Sequence, residues 1–353
     1  MTRTKKIFLL ILLFPAAVFA CILFYVITWD YGGCFRKIAF SRSGDALLSI
    51  ENGTEILLWD VSTGRDVRAM RKPYFKGGAD YIAFSPDGCT AVSGGTDGII
   101  LWDVKEGKMV HVFENSCPPP SKTSGPRVAF SPDGKFILAG DSEENLILWN
   151  LKDYSRERTF VNDHFGQNNG SETNVCCISF SPDVRSALTA GKRLLLWNVS
   201  TGKIIRAFTG HKKEILSAAF TSDRRHVVSG GFDQTLRTWS LDTGKEISAL
   251  HIDQYPTSIA FSPDGRYGLT GETHGELKVW DLTKGVFRFS LNTRRNKGVF
   301  SIAVSPDGVK VAAGTNGKIK LWDLHTGKKL MTFKRRPTLS LILNDLVWSY
   351  VKI

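Results

Sequence analysis

Apolar and polar positions alternate in short runs along most of this chain. One stretch shows the pattern in full: Ser258-Ile-Ala-Phe261, a Ser-Pro-Asp-Gly turn, Tyr267-Gly-Leu-Thr270, a polar turn over 271–275, Leu277-Lys-Val-Trp280, a Thr-Lys-Gly turn, and Val286-Phe-Arg-Phe289. Short runs rich in β-branched and aromatic residues, each closed by Gly, Pro or Asp, predict four strands joined by tight turns. The N-terminus departs from this pattern, because residues 7–28 read IFLLILLFPAAVFACILFYVIT with no charge. A helix of that length, at about 1.5 Å per residue, covers the roughly 30 Å apolar core of a bilayer. Pro15 is tolerated in such a span, and Trp29 and Tyr31 stand where interfacial aromatics sit.

The four-strand unit recurs. Tryptophan followed by a small polar or acidic residue occurs at Trp59, Trp102, Trp149, Trp197, Trp239, Trp280 and Trp322, at spacings of 43, 47, 48, 42, 41 and 42 positions. A period near forty marks one supersecondary unit repeated along the chain. Each tryptophan follows a second marker: Phe40-Ser-Arg-Ser-Gly44, Phe84-Ser-Pro-Asp-Gly88, Phe130-Ser-Pro-Asp-Gly134, Phe180-Ser-Pro-Asp183, Phe220-Thr-Ser-Asp223, Phe261-Ser-Pro-Asp-Gly265 and Val304-Ser-Pro-Asp-Gly308. In these turns proline pre-sets φ, Asp caps with its own side chain and Gly takes the positive φ that follows.

The residue just before the Phe or Val is Ala39, Ala83, Ala129, Ser179, Ala219, Ala260 or Ala303, small in all seven units. A small residue there is needed if the first strand of each unit lines a central axis on which the units converge. The reading is an all-β, seven-bladed propeller of four-stranded antiparallel blades over 34–336, with one N-terminal transmembrane helix. With these markers the chain resembles the WD-repeat (WD40) family. The resemblance implies a hydrogen-bonded tetrad, matched in full in one unit by His211, Ser229, Asp233 and Trp239, with a structural role. The other units lack the Gly-His pair and often the Asp, as at Asn52, Glu144, His274 and Asn316, and are expected to rely more on packing.

Composition adds a basic excess: 46 Lys and Arg against 34 Asp and Glu give a net charge of +12. Such a surface favours acidic partners, although scattered solvated cations account for much of it. The six cysteines, Cys21, Cys34, Cys89, Cys117, Cys176 and Cys177, show neither a disulfide framework nor zinc spacing. Arg3, Lys5 and Lys6 ahead of the apolar run place residues 1–6 in the cytoplasm and the propeller outside it. Two other readings of the same segment are a secretory signal cleaved after Ala20 and a lipoprotein signal with Cys21 as acceptor. The apolar run continuing through Ile27, with Phe19 where lipoproteins carry a small residue, favours an uncleaved anchor.

No G-x-S-x-G elbow, phosphate loop, H-E-x-x-H helix or cluster of His and carboxylates occurs, so no catalytic, metal or cofactor residue is assigned. Two function classes stand. The first is a membrane-tethered scaffold binding a protein or peptide, with the long connections 114–126 and 162–173 supplying Pro118, Pro119, Pro120, Asn168 and Asn169 at its rim. The second is a small-molecule-binding or catalytic propeller that uses the central channel. Nucleic acid is the weaker third partner. With the N-terminus occupied by the apolar run, the last blade draws its outer strand from 329–334, leaving a seam closed by side chains and expected to be weak. The apolar tail 337–353 is a candidate latch across it, or a short partner-binding or membrane-lying segment.

Overall fold

The computed structural model describes residues 35–71, 78–113, 126–140, 146–160, 175–293, 298–315, 317–333 and 335. Among these residues twenty-eight strands form seven four-stranded antiparallel sheets, each built from one continuous run of chain: 35–70, 79–113, 127–160, 177–208, 215–251, 258–292 and 299–332. These are blades 1 to 7. The sixth has strands Ser258–Phe261, Tyr267–Gly271, Glu276–Asp281 and Val286–Asn292, close to the segments read from the sequence.

The turn chemistry explains the strand ends. In the first-to-second-strand turns Asp87, Asp133, Asp183, Asp264 and Asp307 accept a Ser hydroxyl and a backbone N–H two residues on. Glycine follows with φ of 71 to 73° at Gly88, Gly134, Gly265 and Gly308, whereas Val184 and Arg224 hold φ of 64° and 58° without glycine's freedom. The residue after each tryptophan caps the third-to-outer-strand turn, as Asp60 does by accepting from the N–H groups of Ser62 and Thr63 at 2.7 and 2.9 Å. At every tryptophan the pairing with the outer strand shifts by one residue, a bulge repeated in all seven blades.

The core lies between blades. Seven apolar clusters occur, one at each junction of neighbours, including blade 7 with blade 1. The small column serves these junctions: Ala39, Ala83, Ala129, Ala219, Ala260 and Ala303 each pack against the cluster shared with the following blade. Aromatic pairs carry the same device outward. Phe160 meets Trp197 at 5.9 Å, Phe208 meets Trp239 at 5.8 Å, and Phe333 of blade 7 meets Trp59 of blade 1 at 5.7 Å.

The outer strand of blade 7 is Lys329–Thr332, from the same run as its other three strands. Among the described residues no strand interlocks the ends, and the seam, expected to be weak, carries an apolar cluster and an aromatic pair like those of the other junctions. It adds a hydrogen bond of 3.0 Å from the Ile38 amide to Ser301 Oγ.

Candidate functional site

The tetrad is assembled in blade 5. Trp239 Nε1–H donates to Ser229 Oγ at 2.8 Å, and Ser229 Oγ lies 2.7 Å from His211 Nε2. His211 Nδ1 lies 2.9 Å from Asp233 Oδ2. With a neutral ring facing an ionised Asp233, the donors run in one order: indole to hydroxyl, hydroxyl to imidazole Nε2, and imidazole Nδ1–H to carboxylate. Burial lowers the His211 pKa despite Asp233, in keeping with the neutral ring that this order requires. Burial works to raise the pKa of Asp233, but the Lys212 amide, Thr235 and His211 outweigh it and hold the carboxyl below its usual value. Ser229 is fully buried and the His211 and Asp233 side chains are 2% and 4% exposed. The Ser-His-Asp set therefore braces a blade, and its serine hydroxyl is already committed.

Other blades, expected to rely more on packing, keep part of this device. The indole donates to Ser49 from Trp59, to Ser93 from Trp102, to Thr189 from Trp197 and to Thr270 from Trp280, at 2.8 to 2.9 Å. Blade 3 has Ala139 at this register position, and Trp149 Nε1 is buried with no hydrogen-bond partner. Two residues before the tryptophan, blades 5 to 7 carry Arg237, Lys278 and Lys320 where blades 1 to 4 have Leu or Ile. Lys278 Nζ sits 2.8 Å from Asp253 and 2.9 Å from the nearly buried Glu272. Burial opposes its charge, but these carboxylates outweigh burial and raise its pKa. Its partners come from two different connections, so local sequence did not signal the pairing.

Strands alternate in direction, so the outer-to-inner and second-to-third-strand connections share one face, and the other two kinds of turn share the opposite face. On the first face Lys192, His211, Lys212, Lys213 and Glu214 line a cavity of about 490 Å³. Lys213 Nζ lies 5.1 Å from the ring centre of Tyr255, which is 55% exposed. On the opposite face, blades 1 to 4 and Pro306 of blade 7 frame a cavity of about 470 Å³, lined by Phe40, Arg42, Ala83, Val128 and Ile178 and by turn prolines.

Between the faces, the position three before each turn Phe or Val holds Lys37, Tyr81, Arg127, Cys177, Ser217, Ser258 and Ser301. Burial pushes the Tyr81 phenol up to about 12, so it remains an O–H donor. Burial, aided by a hydrogen bond to Glu214, likewise pushes the Cys176 thiol to about 12. Cys177 bonds the carbonyl of Ala218 instead, and neither cysteine is in a disulfide.

The rim residues Pro118, Pro119, Pro120, Asn168 and Asn169, the apolar run 7–28 and the tail 337–353 lie outside the described residues. No helix among the described residues is long and apolar enough to cross a membrane.

The model of the WD domain, G-beta repeat, matches residues 78–103, 124–150, 202–240, 247–281 and 286–323. Blade 1 and most of blade 4 fall outside these matches and are supplied by the structure. Over 216 residues the chain is 27% identical to apoptotic protease-activating factor 1 of Rattus norvegicus, covering 58% of this chain and 16% of that protein. It is 25% identical to WD repeat-containing protein 82 of Drosophila melanogaster, covering 60% and 66%. Against the guanine nucleotide-binding protein subunit beta of Oryza sativa subsp. japonica it is 26% identical, covering 69% and 67%. The chain thus spans less than two thirds of the length of the first two relatives. Repeat matches, register and the blade 5 tetrad agree: the chain belongs to the WD40-repeat family, whose propellers generally act as protein-interaction scaffolds.

Proposed function

We propose that this protein is a membrane-tethered scaffold that docks an acidic segment of a partner protein on the face carrying its outer-to-inner-strand connections, with no catalysis of its own. The observation that carries the reading is the exposed basic ground of Lys192, Lys212 and Lys213 beside Tyr255 and an open cavity on that face. An exposed aromatic flanked by cations is the composition of a docking anchor, and the cations steer an acidic partner toward it. The Ser-His-Asp set, its serine fully buried and bonded to Trp239, supports a scaffold over a hydrolase. The tether rests on the uncharged run 7–28 with Arg3, Lys5 and Lys6 before it, which favours a cytoplasmic N-terminus and a propeller on the other side.

Crosslinking the full-length protein in its native membrane tests both halves. The partner should be retained by the wild type and lost when Lys192, Lys212 and Lys213 are changed together to Glu; retention by that variant would refute the docking face. Resistance of the protein to alkaline extraction, with the propeller shielded from protease added on the cytoplasmic side, is the result expected of the tether. Release into the soluble fraction would refute it.

A further inference from the structure

At the rim of the ring, one side chain ties each blade to the next: the residue that follows the bulge in the outer strand. Arg68, Arg158, Arg206, Phe289 and Met331 lie over the turn glycine of the following blade. Each has an atom 2.5 to 3.2 Å from the point where a β-carbon would stand on Gly107, Gly202, Gly244, Gly327 or Gly64. Arg68 and Arg206 also donate to carbonyls of that turn, Glu106 at 3.2 Å and Asp242 at 2.7 Å. The turn of blade 3 has Tyr154 at a positive φ of 59° in place of glycine, and His111 of blade 2 stacks on its ring at 4.2 Å. Six junctions are bridged in this way.

The seventh is not. Blade 5 has the short, exposed Ser248 at this register position. Among the described residues no atom outside Gly285 and its two chain neighbours comes within 4 Å of the β-carbon point on that glycine. A second device is missing at the same junction. The phenylalanine at the far end of the outer strand, which meets the next tryptophan at four junctions as Phe208 meets Trp239, is Leu250 in blade 5. Trp280 instead takes Phe287 of its own blade, at 5.4 Å and 48% exposed. Trp280 belongs to the apolar cluster shared by blades 5 and 6, so Phe287 stands on the wall that faces blade 5. The residue after the turn glycine also changes: it is Arg65, Lys108, Lys203, Lys245 and Lys328 elsewhere, and Val286 in blade 6. Single exposed aliphatics on outer strands are ordinary; the unfilled junction behind them is particular to blades 5 and 6.

We propose that this open slot between the outer strands of blades 5 and 6 docks a phenylalanine-sized side chain of a partner-protein segment, with a carboxylate beside it paired to Lys284. The six filled junctions show what such a slot accepts: one long side chain lying across the turn. Its walls choose among them. Val286 and Phe287 offer apolar surface that an aromatic ring meets edge to face, and Lys284, exposed beside Gly285, repels a second cation and attracts an acid. A side chain supplied by the partner takes the place of the missing bridge, and one anchor seated in a pocket carries much of the energy of a docked segment. The slot adjoins a third-to-outer-strand turn, on the face opposite Lys192, Lys212 and Lys213, and goes beyond the docking proposed there.

Selection of displayed random heptapeptides on the immobilised full-length protein tests the assignment, with each enriched sequence synthesised and its affinity measured by fluorescence anisotropy. Enriched peptides should carry an aromatic residue next to Asp or Glu. Ser248→Met, which supplies the bridge that Met331 gives blade 7, should weaken their binding by about tenfold or more, the effect of losing one anchor. Ser248→Ala, which leaves the slot open, should not weaken it. Lys213→Glu on the docking face should leave it unchanged. Acetylation of the wild-type protein, read residue by residue by mass spectrometry, requires no variant to fold: saturating peptide should slow modification of Lys284 and not that of Lys213. No enriched sequence, enrichment without an aromatic residue, equal affinity for Ser248→Met and wild type, loss of binding in Lys213→Glu, or an unchanged rate at Lys284 would each overturn the proposal. So would a wild-type dimer in sedimentation that Ser248→Met dissociates, since a second copy would then be the occupant. None of these results bears on retention of a partner at the docking face.

Discussion

Replacing Ala139 by serine should stabilise the propeller, an unusual outcome for a core substitution. Ala139 pairs with Ile147, two residues before Trp149, in the register by which Ser49, Ser93, Thr189, Ser229 and Thr270 pair in their own blades. In each of those five blades the hydroxyl accepts the indole N–H at 2.8 to 2.9 Å. Blade 3 leaves Trp149 Nε1 buried without a partner, with Trp149 7% exposed and Ala139 2% exposed. An unsatisfied buried donor costs about 1–3 kcal/mol, and a bond formed returns about 0.5–1.5 kcal/mol net. Ser49 and Ser93 perform the same task with no histidine relay, so the gain does not require a complete tetrad. After the cost of burying a new hydroxyl, Ala139→Ser should add about 1 kcal/mol, which in a domain of this size raises the melting temperature by about 2 °C. Urea unfolding followed by tryptophan fluorescence measures the change, and slower exchange of the Trp149 indole proton by NMR locates it. Ala139→Val is the control, adding volume without an acceptor. If the serine variant were no more stable than the valine variant, the indole bond would have no part in blade stability.

Three further outcomes follow from the same structure. Arg224 is exposed and holds φ of 58° where five other blades place glycine; Arg224→Gly should stabilise by about 0.5–1 kcal/mol, the relief of left-handed strain less glycine's added entropy, and a loss in chemical denaturation would contradict this. Lys278→Met should destabilise by about 3 kcal/mol because it strands the nearly buried Glu272, and a double-mutant cycle should show Glu272→Gln restoring most of that loss. Because the fold depresses the His211 pKa, below about pH 6.5 the unfolded chain takes up a proton that the folded one refuses. Stability should then fall as pH drops from about 6.5 toward the folded value, and NMR titration should show His211 still neutral where free histidine is charged; protonation at or above the free value would refute the relay order.

The blades were legible because three demands repeat: a tryptophan above each bulge, a turn needing Asp and a positive φ, and a small residue where blades converge. The blade 5 tetrad was legible through the family resemblance, which marks His211, Ser229, Asp233 and Trp239 in one unit. Lys278 was not, because Glu272 and Asp253 reach it from separate connections and only folding brings them together. The open slot at Ser248 could have been found by stacking the seven outer strands, but adjacency around a ring is a property of closure. Trp149 was marked as a blade tryptophan, while its missing acceptor became visible only when register set Ala139 opposite Ile147.

Each blade is spun from one unbroken run of chain, and the first and last are clasped by Phe333 against Trp59 and by Ser301 under the Ile38 amide. The ring is thus a bracelet with a clasp rather than a woven band. Every link can form as it leaves the ribosome, yet the circle is fastened only once the seventh is made, and among the described residues no strand must be unthreaded to open it. Any of the seven hinges could therefore serve as a new pair of ends, with the old clasp joined by a short linker.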